Sequence, residues 1–304
     1  MLELLKGIEW QSPVITEKFA NELLEQNPIK NKQHHAVPWA TLIDLKINLP
    51  EGDPRKLVAT KALKEVPFKK NSFTVCQTYR FMQLIDTFKQ AGIDTVFCPH
   101  AQGEADGIKI EPFPLYDPLQ INPAKEKTIF YSFVGLHRSD YVSNIRRRIF
   151  LDENHSKDSE VIERQRWHFD NTVYAKQIGS VKSHPIQDIL EENNKNEYKE
   201  ILSKSRYSLC PCGVGPSSIR FYESLRAGAI PILLSDKMKL PNIKGLNWEE
   251  CTIKLCERDY PNFRKILRNI TKKEENALRE NGYKAYKKVS GENFVQCIRD
   301  YYEK

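Results

Sequence analysis

Residues 205–236 read SRYSLCPCGVGPSSIRFYESLRAGAIPILLSD, and this stretch predicts the fold. Residues 207–210 are a short apolar and aromatic run, and the prolines and glycines of residues 211–216 break it into a loop. Apolar side chains then recur at helical spacing from Ile219 until Gly228, a residue typical of helix C-termini. Residues 229–234 are apolar and short enough for a buried parallel strand. The stretch therefore predicts a βαβ unit.

The loop of this unit carries residue types that bind an anion. Because it leads into a helix at the carboxyl edge of a parallel sheet, ligands collect there. Gly213 and a Ser217-Ser218 cap leave backbone N–H groups free at the positive helix end, which suits a phosphate or diphosphate. Arg220 lies in the first helical turn, where a cation needs an anionic partner, and Glu223 follows on the same face. We predict a nucleotide-sugar site with Arg220 at the diphosphate and Glu223 at the ribose; a solvated ion pair is the competing interpretation.

The composition is that of an ordinary soluble chain. Its 304 residues suffice for two domains, and 47 basic against 40 acidic residues give a net charge of +7. No apolar run approaches the roughly 20 residues of a membrane span, and the first ten residues lack the pattern of a signal peptide, so we expect a cytoplasmic protein. The mildly basic surface suits nucleotide donors, phosphorylated lipid carriers and peripheral contact with an anionic membrane face. Nucleic acid is the rival partner, but the basic residues are dispersed and no nucleic-acid motif occurs, so we expect none.

No metal site is expected. The seven cysteines have no framework spacing, so reduced thiols are expected, and the arrangement of Cys210, Cys212, Cys251 and Cys256 is not a usual zinc pattern. No Asp-x-Asp sequence occurs, although transferases that hold a diphosphate through Mg²⁺ or Mn²⁺ commonly use it. The sequence predicts donor binding by arginine and a helix N-terminus, with no cofactor beyond the nucleotide sugar.

A second βαβ unit precedes the first, because residues 72–98 predict a strand, a helix and a strand. The polar loop that follows, residues 99–107, contains His100, Glu104 and Asp106 at the edge where ligands bind. Each of these three is a candidate base for the proton of an acceptor hydroxyl in glycosyl transfer. A solvated turn is the competing interpretation.

Four other segments support more limited predictions. Residues 16–26 predict an amphipathic helix capped by Thr16, whereas His34 and His35 lie in a polar stretch and are expected to be solvated. Residues 167–170 place Trp, His and Asp together, which suits sugar stacking and hydrogen bonding; a buried tryptophan beside a satisfied histidine fits equally well. Residues 272–289 carry charges nearly all round and predict a solvent-facing helix.

The motifs together resemble the exostosin-like glycosyltransferases, glycosyltransferase family 47. The resemblance rests on Ser205-Arg-Tyr-x-Leu-x-Pro-x-Gly213, Arg220-x-x-Glu223, Gly228-x-Ile230-Pro231, Leu240-Pro241 and Asn247-Trp248. Phe133-Val-Gly135 followed by Arg146 or Arg147 is similar to the other donor-domain signature of the family. The resemblance implies an α/β fold of GT-B architecture, in which two Rossmann-like domains face a cleft and a C-terminal helix crosses back.

The resemblance also implies domains and a function. Residues 1–122 would form the acceptor-side domain, residues 123–288 the donor domain, and residues 289–304 a helix packed back on the first. Gly135, Arg147 and Arg206 would join the motif residues at the donor.

The implied enzyme is an inverting glycosyltransferase. It would move a sugar from a UDP-linked donor to a glycan or lipid-linked oligosaccharide acceptor in polysaccharide or lipopolysaccharide synthesis. Animal and plant members carry an N-terminal anchor, so the chain resembles a short microbial relative. The alternatives are transfer from a CMP-linked sugar acid, and a non-catalytic glycan- or nucleic-acid-binding protein on the same fold.

Overall fold

The computed structural model describes residues 7–167, 169–182 and 185–303. The chain forms two α/β halves, each built on a five-stranded sheet. The strands of the first half are β1 (Gln33–His35), β2 (Ser72–Val75), β3 (Ile93–Cys98), β4 (Gly103–Ala105) and β5 (Ile108–Pro112). Those of the second half are β6 (Ile129–Gly135), β7 (Glu160–Glu163), β8 (Ser205–Pro211), β9 (Ile230–Leu234) and β10 (Ile253–Lys254).

Helices surround the two sheets. The α-helices are α1 (Thr16–Gln26), α2 (Trp39–Asn48), α3 (Pro54–Lys64), α4 (Ile85–Gln90), α5 (Ile145–Phe150), α6 (Pro185–Lys204), α7 (Ile219–Ala227), α8 (Phe263–Asn269), α9 (Lys272–Lys288) and α10 (Gln296–Tyr302). Asn171–Gln177 is π-helical, and the 3₁₀ segments are Phe81–Leu84, Trp248–Glu250, Glu257–Asn262 and Gly291–Val295. Within the described ranges, no helix has the length and apolar character to cross a membrane.

Both sheets are parallel except at one edge. The first has the strand order β1-β2-β3-β5-β4, in which β4 pairs antiparallel with β5, and the second has the order β10-β9-β8-β6-β7 with every pair parallel. Helices cover both faces of a parallel sheet, which explains why every residue of β9 is buried. The carboxyl ends of β6, β7 and β8 therefore meet at one edge of the second sheet.

The βαβ unit predicted from residues 205–236 is confirmed as β8, α7 and β9. Gly228 follows α7 with a φ of +65°, the left-handed conformation that glycine adopts without steric cost. Ser218 occupies the predicted N-cap position with extended backbone, although its side chain makes no capping hydrogen bond. The loop and the start of α7 thus lie at the predicted edge of the sheet.

Three local predictions outside this unit are wrong. Thr16 does not cap α1, because Ile15 holds the N-cap position and the Thr16 Oγ1 accepts a hydrogen bond from the Tyr116 N–H at 2.9 Å. His35 is buried on β1, and its burial lowers its pKa to about 4. Helix α9 is not wholly solvent-facing, because the side chain of Glu275 is fully buried. Each error concerns burial imposed by distant parts of the chain.

The chain crosses between the halves twice. Residues 113–128 lead from the first half to the second, and residues 289–295 lead back, so that α10 packs on the first sheet. The rings of Phe294 and Phe19 lie 5.3 Å apart, and those of Tyr302 and Phe73 lie 5.4 Å apart. Two Rossmann-like halves with a returning C-terminal helix form the GT-B architecture, so the predicted fold class is confirmed. The domain boundaries at 122/123 and 288/289 stay predictions.

Candidate functional site

A cavity of about 460 Å³ opens between the two halves, and we call it the cleft. The first half lines it with α2 and with the loops that follow β2 and β3. The second half lines it with the loops that follow β6, β7 and β8, and with the start of α7. Ligands of α/β sheets bind at the carboxyl ends of parallel strands, so the cleft lies where two such edges face each other.

The loop between β8 and α7 is fixed by hydrogen bonds from several sides. The Gly213 N–H donates to the Gly215 carbonyl at 3.0 Å, and the Gly213 carbonyl accepts from the Val142 N–H at 2.9 Å. The Ser235 hydroxyl donates to the Pro216 carbonyl at 2.8 Å. A fixed loop holds the start of α7 open to the cleft, where Ser217 and Ser218 line the wall.

Arg220 presents a buried guanidinium group to the cleft. Its side chain lies over the Phe133 ring at 4.6 Å, and its Nη2 donates to the Val134 carbonyl at the end of β6. Its Nε and Nη1 are buried and have no hydrogen-bond partner among the residues that the structure describes. Buried N–H groups without partners are costly, so this arrangement favours an anionic ligand that accepts from them.

A second guanidinium group, that of Arg146 on α5, lies beside Arg220. It donates to the carbonyls of Cys212 at 2.7 Å and Leu136 at 3.1 Å, and so joins the loops that follow β8 and β6. Burial, with the nearby charge of Arg220, lowers the pKa of Arg146 to about 10. Two adjacent cations, one buried and one partly buried, make this wall of the cleft strongly attractive to a polyanion.

Glu223 lies one turn beyond Arg220 and is 1% exposed. Its Oε2 accepts a hydrogen bond from the Tyr198 hydroxyl at 2.6 Å, whereas Oε1 is buried without a partner in the described ranges. Burial raises the pKa of Glu223 to about 8, and the charge of Asp117 acts in the same direction. A carboxyl group with one free oxygen is suited to hydrogen-bond a hydroxyl or diol.

His100 contributes to the opposite wall from the loop after β3. It is 8% exposed, and its Nδ1 is buried and finds no partner in the part of the chain that the structure describes. A Cβ atom on Gly215 would lie 2.3 Å from that Nδ1, so the imidazole packs directly on the glycine of the other half. Burial lowers the pKa of His100 to about 4, which keeps the ring neutral at neutral pH.

Asp44 of α2 also faces the cleft, and sequence reasoning missed it. It is 7% exposed, and its Oδ2 accepts from the Gln11 amide at 2.9 Å. The Gln11 Oε1 accepts in turn from the Gln77 amide at 2.8 Å, which ties the group to the loop after β2. Burial raises the pKa of Asp44 to about 6, against the opposing charge of Arg80.

The structure brings most of the predicted site residues together. Those that line the cleft are His100, Gly135, Gly213, Ser217, Ser218, Arg220 and Glu223. Gly135 is needed for close approach, because a Cβ there would lie 3.2 Å from the Arg220 Nη2. Trp167 and Asp170 of the predicted aromatic loop line the cleft as well, whereas His168 lies outside the described residues.

Four predicted residues do not line the cleft. Glu104 is exposed on β4, and Asp106 pairs with Lys89 in the turn of the β4–β5 hairpin. The sequence did not reveal this hairpin, which carries both carboxylates along the sheet edge.

The other two are arginines of the predicted donor side. Arg147 is exposed because neighbouring helical positions point about 100° apart, and Arg146 occupies the inward position of α5. Arg206 lies at the amino end of β8, the edge opposite the cleft, where its Nη2 pairs with the Glu275 Oε2 at 2.6 Å.

Comparison with known proteins identifies the family. The family model of the exostosin GT47 domain matches residues 89–270, more than half of the chain. "Exostosin-1 homolog" of Caenorhabditis elegans is 32% identical over 114 residues, 36% of this chain and 28% of that protein. "Probable beta-1,4-xylosyltransferase IRX10" of Arabidopsis thaliana is 33% identical over 89 residues, 29% of this chain and 21% of that protein.

The chain thus spans between a fifth and a third of the length of these two relatives. A solved structure of WaaG, a glycosyltransferase involved in lipopolysaccharide biosynthesis, superposes over 96% of this chain and 84% of that one, with a TM-score of 0.39 and 12% identity. The family match includes β6, β8, α7 and β9, and with them Arg146, Arg220 and Glu223. The chain belongs to the exostosin GT47 domain family.

Proposed function

We propose that this protein is an inverting glycosyltransferase that moves a sugar from a UDP-linked donor to a hydroxyl of a glycan or lipid-linked oligosaccharide. The observation that carries this proposal is the pair of adjacent guanidinium groups at the start of α7, that of Arg220, which is buried, and that of Arg146, which is partly buried. The two guanidinium nitrogens of Arg220 that lack partners in the described ranges, Nε and Nη1, would donate to the donor diphosphate. Arginine and a helix N-terminus both stabilise the negative charge that develops on a diphosphate leaving group.

Glu223 and Tyr198 would hold the nucleoside end of the donor. The free Oε1 of Glu223 suits a ribose hydroxyl, and the Tyr198 hydroxyl fixes the other carboxyl oxygen. With a volume of about 460 Å³, the cleft lies in the range of roughly 300–1,000 Å³ that is usual for small-ligand sites. Relatives named as exostosin and xylosyltransferase support transfer of a sugar to a polysaccharide.

The proposed reaction uses no metal ion. A metal would serve to neutralise the donor diphosphate, and the two arginines supply that positive charge from the protein. Arg146 also fixes the loops on either side, so the charges are in place before the donor binds. Pre-organised charge of this kind stabilises a leaving group without further rearrangement.

Nucleotide binding provides the first experiment. The purified protein is screened by thermal shift against UDP, GDP, CMP and dTDP, because a ligand at a hundred times its Kd adds about 2.7 kcal/mol to stability. We expect UDP to raise the Tm, and Arg220→Ala to abolish that rise. Arg147→Ala is the matched control, since it removes an exposed arginine from α5 and should leave the shift intact.

Turnover provides the second experiment. Nucleotide release is measured with UDP-xylose, UDP-glucuronic acid and UDP-N-acetylglucosamine as donors and p-nitrophenyl glycosides as acceptors. We expect release by the wild type and a loss of at least about a hundredfold in Arg220→Ala, the effect of removing one group that stabilises developing charge. Binding of no nucleotide, or equal turnover by the Arg220→Ala variant, would refute the proposal.

A further inference from the structure

The acceptor side of the cleft contains one buried carboxylate, that of Asp44, which belongs to none of the sequence motifs. Among the described residues that line the cleft, Asp44 is the carboxylate contributed by the first half; Asp170 and Glu223 belong to the second. It lies on α2 in the part of the cleft lining that the first half contributes, and Arg146 and Arg220 line the same cleft from the second half. The side chain of Asp44 is 7% exposed, and a carboxylate so buried is costly to keep ionised.

We propose that Asp44 is the general base that takes the proton from the acceptor hydroxyl in the transfer reaction. This inference rests on the function proposed above and assigns its missing proton acceptor. Among the described residues the Gln11 amide donates to Oδ2 and none donates to Oδ1, so one oxygen is positioned and the other is available to the acceptor. Gln77, which donates to Gln11, fixes the position of that amide.

Burial and the groups around Asp44 set its pKa near the working pH of an enzyme. Glu17 on α1, Tyr79 and Arg80 after β2, and Tyr174 in the π-helical segment all lie close enough to interact with it electrostatically. Burial raises the pKa of Asp44 to about 6, and Arg80 limits the rise. A general base is most effective when its pKa lies near the working pH, because it is then both deprotonated and strongly basic.

His100 is less suited to this role, although sequence reasoning included it among the candidates. Its Nδ1 is turned against Gly215, where an added Cβ would lie 2.3 Å away, and is therefore closed to a substrate. Its pKa, lowered to about 4 by burial, makes the ring a weaker base than Asp44. We infer that His100 serves to pack the first half against Gly215 of the second.

The proposed step balances as a single displacement. The acceptor O–H bond breaks and its proton passes to Asp44 Oδ1, while the acceptor oxygen forms a bond to the anomeric carbon from the face opposite the leaving group. The bond between that carbon and the diphosphate oxygen breaks, and its electron pair leaves with the nucleoside diphosphate beside Arg146 and Arg220. Asp44 then returns the proton to solvent.

The experiment compares Asp44→Asn with Asp106→Asn. Asparagine is isosteric with aspartate, and Asp106 is an exposed aspartate of the same half, whose positive φ asparagine tolerates. Nucleotide release is measured with the UDP-sugar and p-nitrophenyl glycoside that the wild type turns over, together with the UDP-induced thermal shift. We expect Asp44→Asn to lower kcat by at least about a hundredfold with an unchanged UDP shift, and Asp106→Asn to stay within about threefold of wild type.

The pH profile separates a base from a structural residue. Wild-type kcat/KM should fall as the pH drops through about 6, because protonated Asp44 cannot accept a proton. Gln11→Met removes a hydrogen bond that lowers the pKa of Asp44, so it should move this acidic limb to higher pH. Asp44→Asn should lose the limb altogether.

Two results would overturn the inference. Asp44→Asn activity within about fivefold of wild type, with the acidic limb retained, shows that another group accepts the proton. A wild type that neither binds UDP nor releases nucleotide removes the proposed function itself, and this failure is recognised without any Asp44 variant. Loss of the UDP shift in Asp44→Asn identifies a structural defect and also counts against the base.

Discussion

Gly215→Ala should destabilise the protein through one contact between the halves. The Cβ of the new alanine would lie 2.3 Å from the His100 Nδ1 and 2.8 Å from its Cε1, well inside normal contact distance. The φ of Gly215 lies outside the left-handed range, so alanine meets no backbone strain there. The whole effect should therefore come from the imidazole of the opposite half.

The expected magnitude follows from the size of the overlap. Restoring an ordinary contact of about 3.4 Å requires the ring or the loop to move by about 1 Å, and overpacking of this kind costs about 1–3 kcal/mol. The loop cannot yield easily, because Gly213 and Pro216 are hydrogen-bonded to neighbouring segments. At roughly 2–4 °C per kcal/mol, this cost should lower the Tm by about 2–12 °C.

The assay is a double-mutant cycle in thermal unfolding. Wild type, Gly215→Ala, His100→Ala and the double variant are compared at one pH without ligand. We expect a coupling of about 1–3 kcal/mol, with Gly215→Ala nearly neutral once the imidazole is absent. An equal fall in Tm in both backgrounds would show that His100 does not pack on Gly215, and would refute the reasoning.

Three further predictions concern charge. Glu275→Gln should cost about 3 kcal/mol in chemical denaturation, because it leaves the partly buried Arg206 without its counter-ion; a cost below about 1 kcal/mol would contradict this. Burial raises the pKa of Glu223 to about 8, so the stability of the ligand-free protein should fall as the pH rises from about 4.5 to about 8. Glu223→Gln lacks this titration, so the Tm of the variant relative to that of the wild type should rise from pH 5 to pH 8.5. A Tm difference that does not change with pH would contradict the raised pKa of Glu223. Turnover should be unchanged by EDTA, and activity that is lost with EDTA and restored by Mn²⁺ would refute the metal-free reaction.

The second half of the chain was predictable because its signals are local. The glycines and prolines after Tyr207, the helical spacing up to Gly228 and the apolar run that follows lie within 32 residues, and together they specify β8, α7 and β9. Arg220 and Glu223 are then placed by the helix alone. The position of the loop follows as well, since a loop after a parallel strand lies at the carboxyl edge of the sheet, where ligands bind.

The first half was less predictable because its contribution to the cleft depends on burial and long-range contacts. Asp44 reads as an ordinary polar residue of an apolar segment, and only packing of α2 against the cleft reveals it. Tyr198 likewise looks like a core position of α6 until its hydroxyl is seen on Glu223. One signal could have been used: an aspartate between apolar neighbours in a helix is a candidate for burial, and a buried carboxylate that lines a cleft is a candidate functional residue.

Arg206 illustrates the opposite error. It belongs to the same motif as Arg220 in sequence, yet it is the second residue of the strand that Pro211 ends, and a strand of seven residues is roughly 20 Å long. Residues at its two ends therefore serve different edges of the sheet. The spacing of the motif therefore placed the helix residue Arg220 correctly and the strand residue Arg206 wrongly.

The two chain crossings between the halves determine how the cleft can admit its ligands. They lie side by side, because the Phe294 ring of the second crossing lies 5.1 Å from the Phe113 ring of the first. Just before the second crossing, the Tyr286 hydroxyl donates to the Asp117 Oδ2 of the first at 3.2 Å. Elsewhere the halves are joined by non-covalent contacts, such as the Lys239 Nζ to the Gln102 carbonyl at 3.1 Å. We therefore expect the paired crossings to act as a hinge. The halves would separate by rotation about the line of the crossings, and each closure would bring the same residues of the two walls opposite each other.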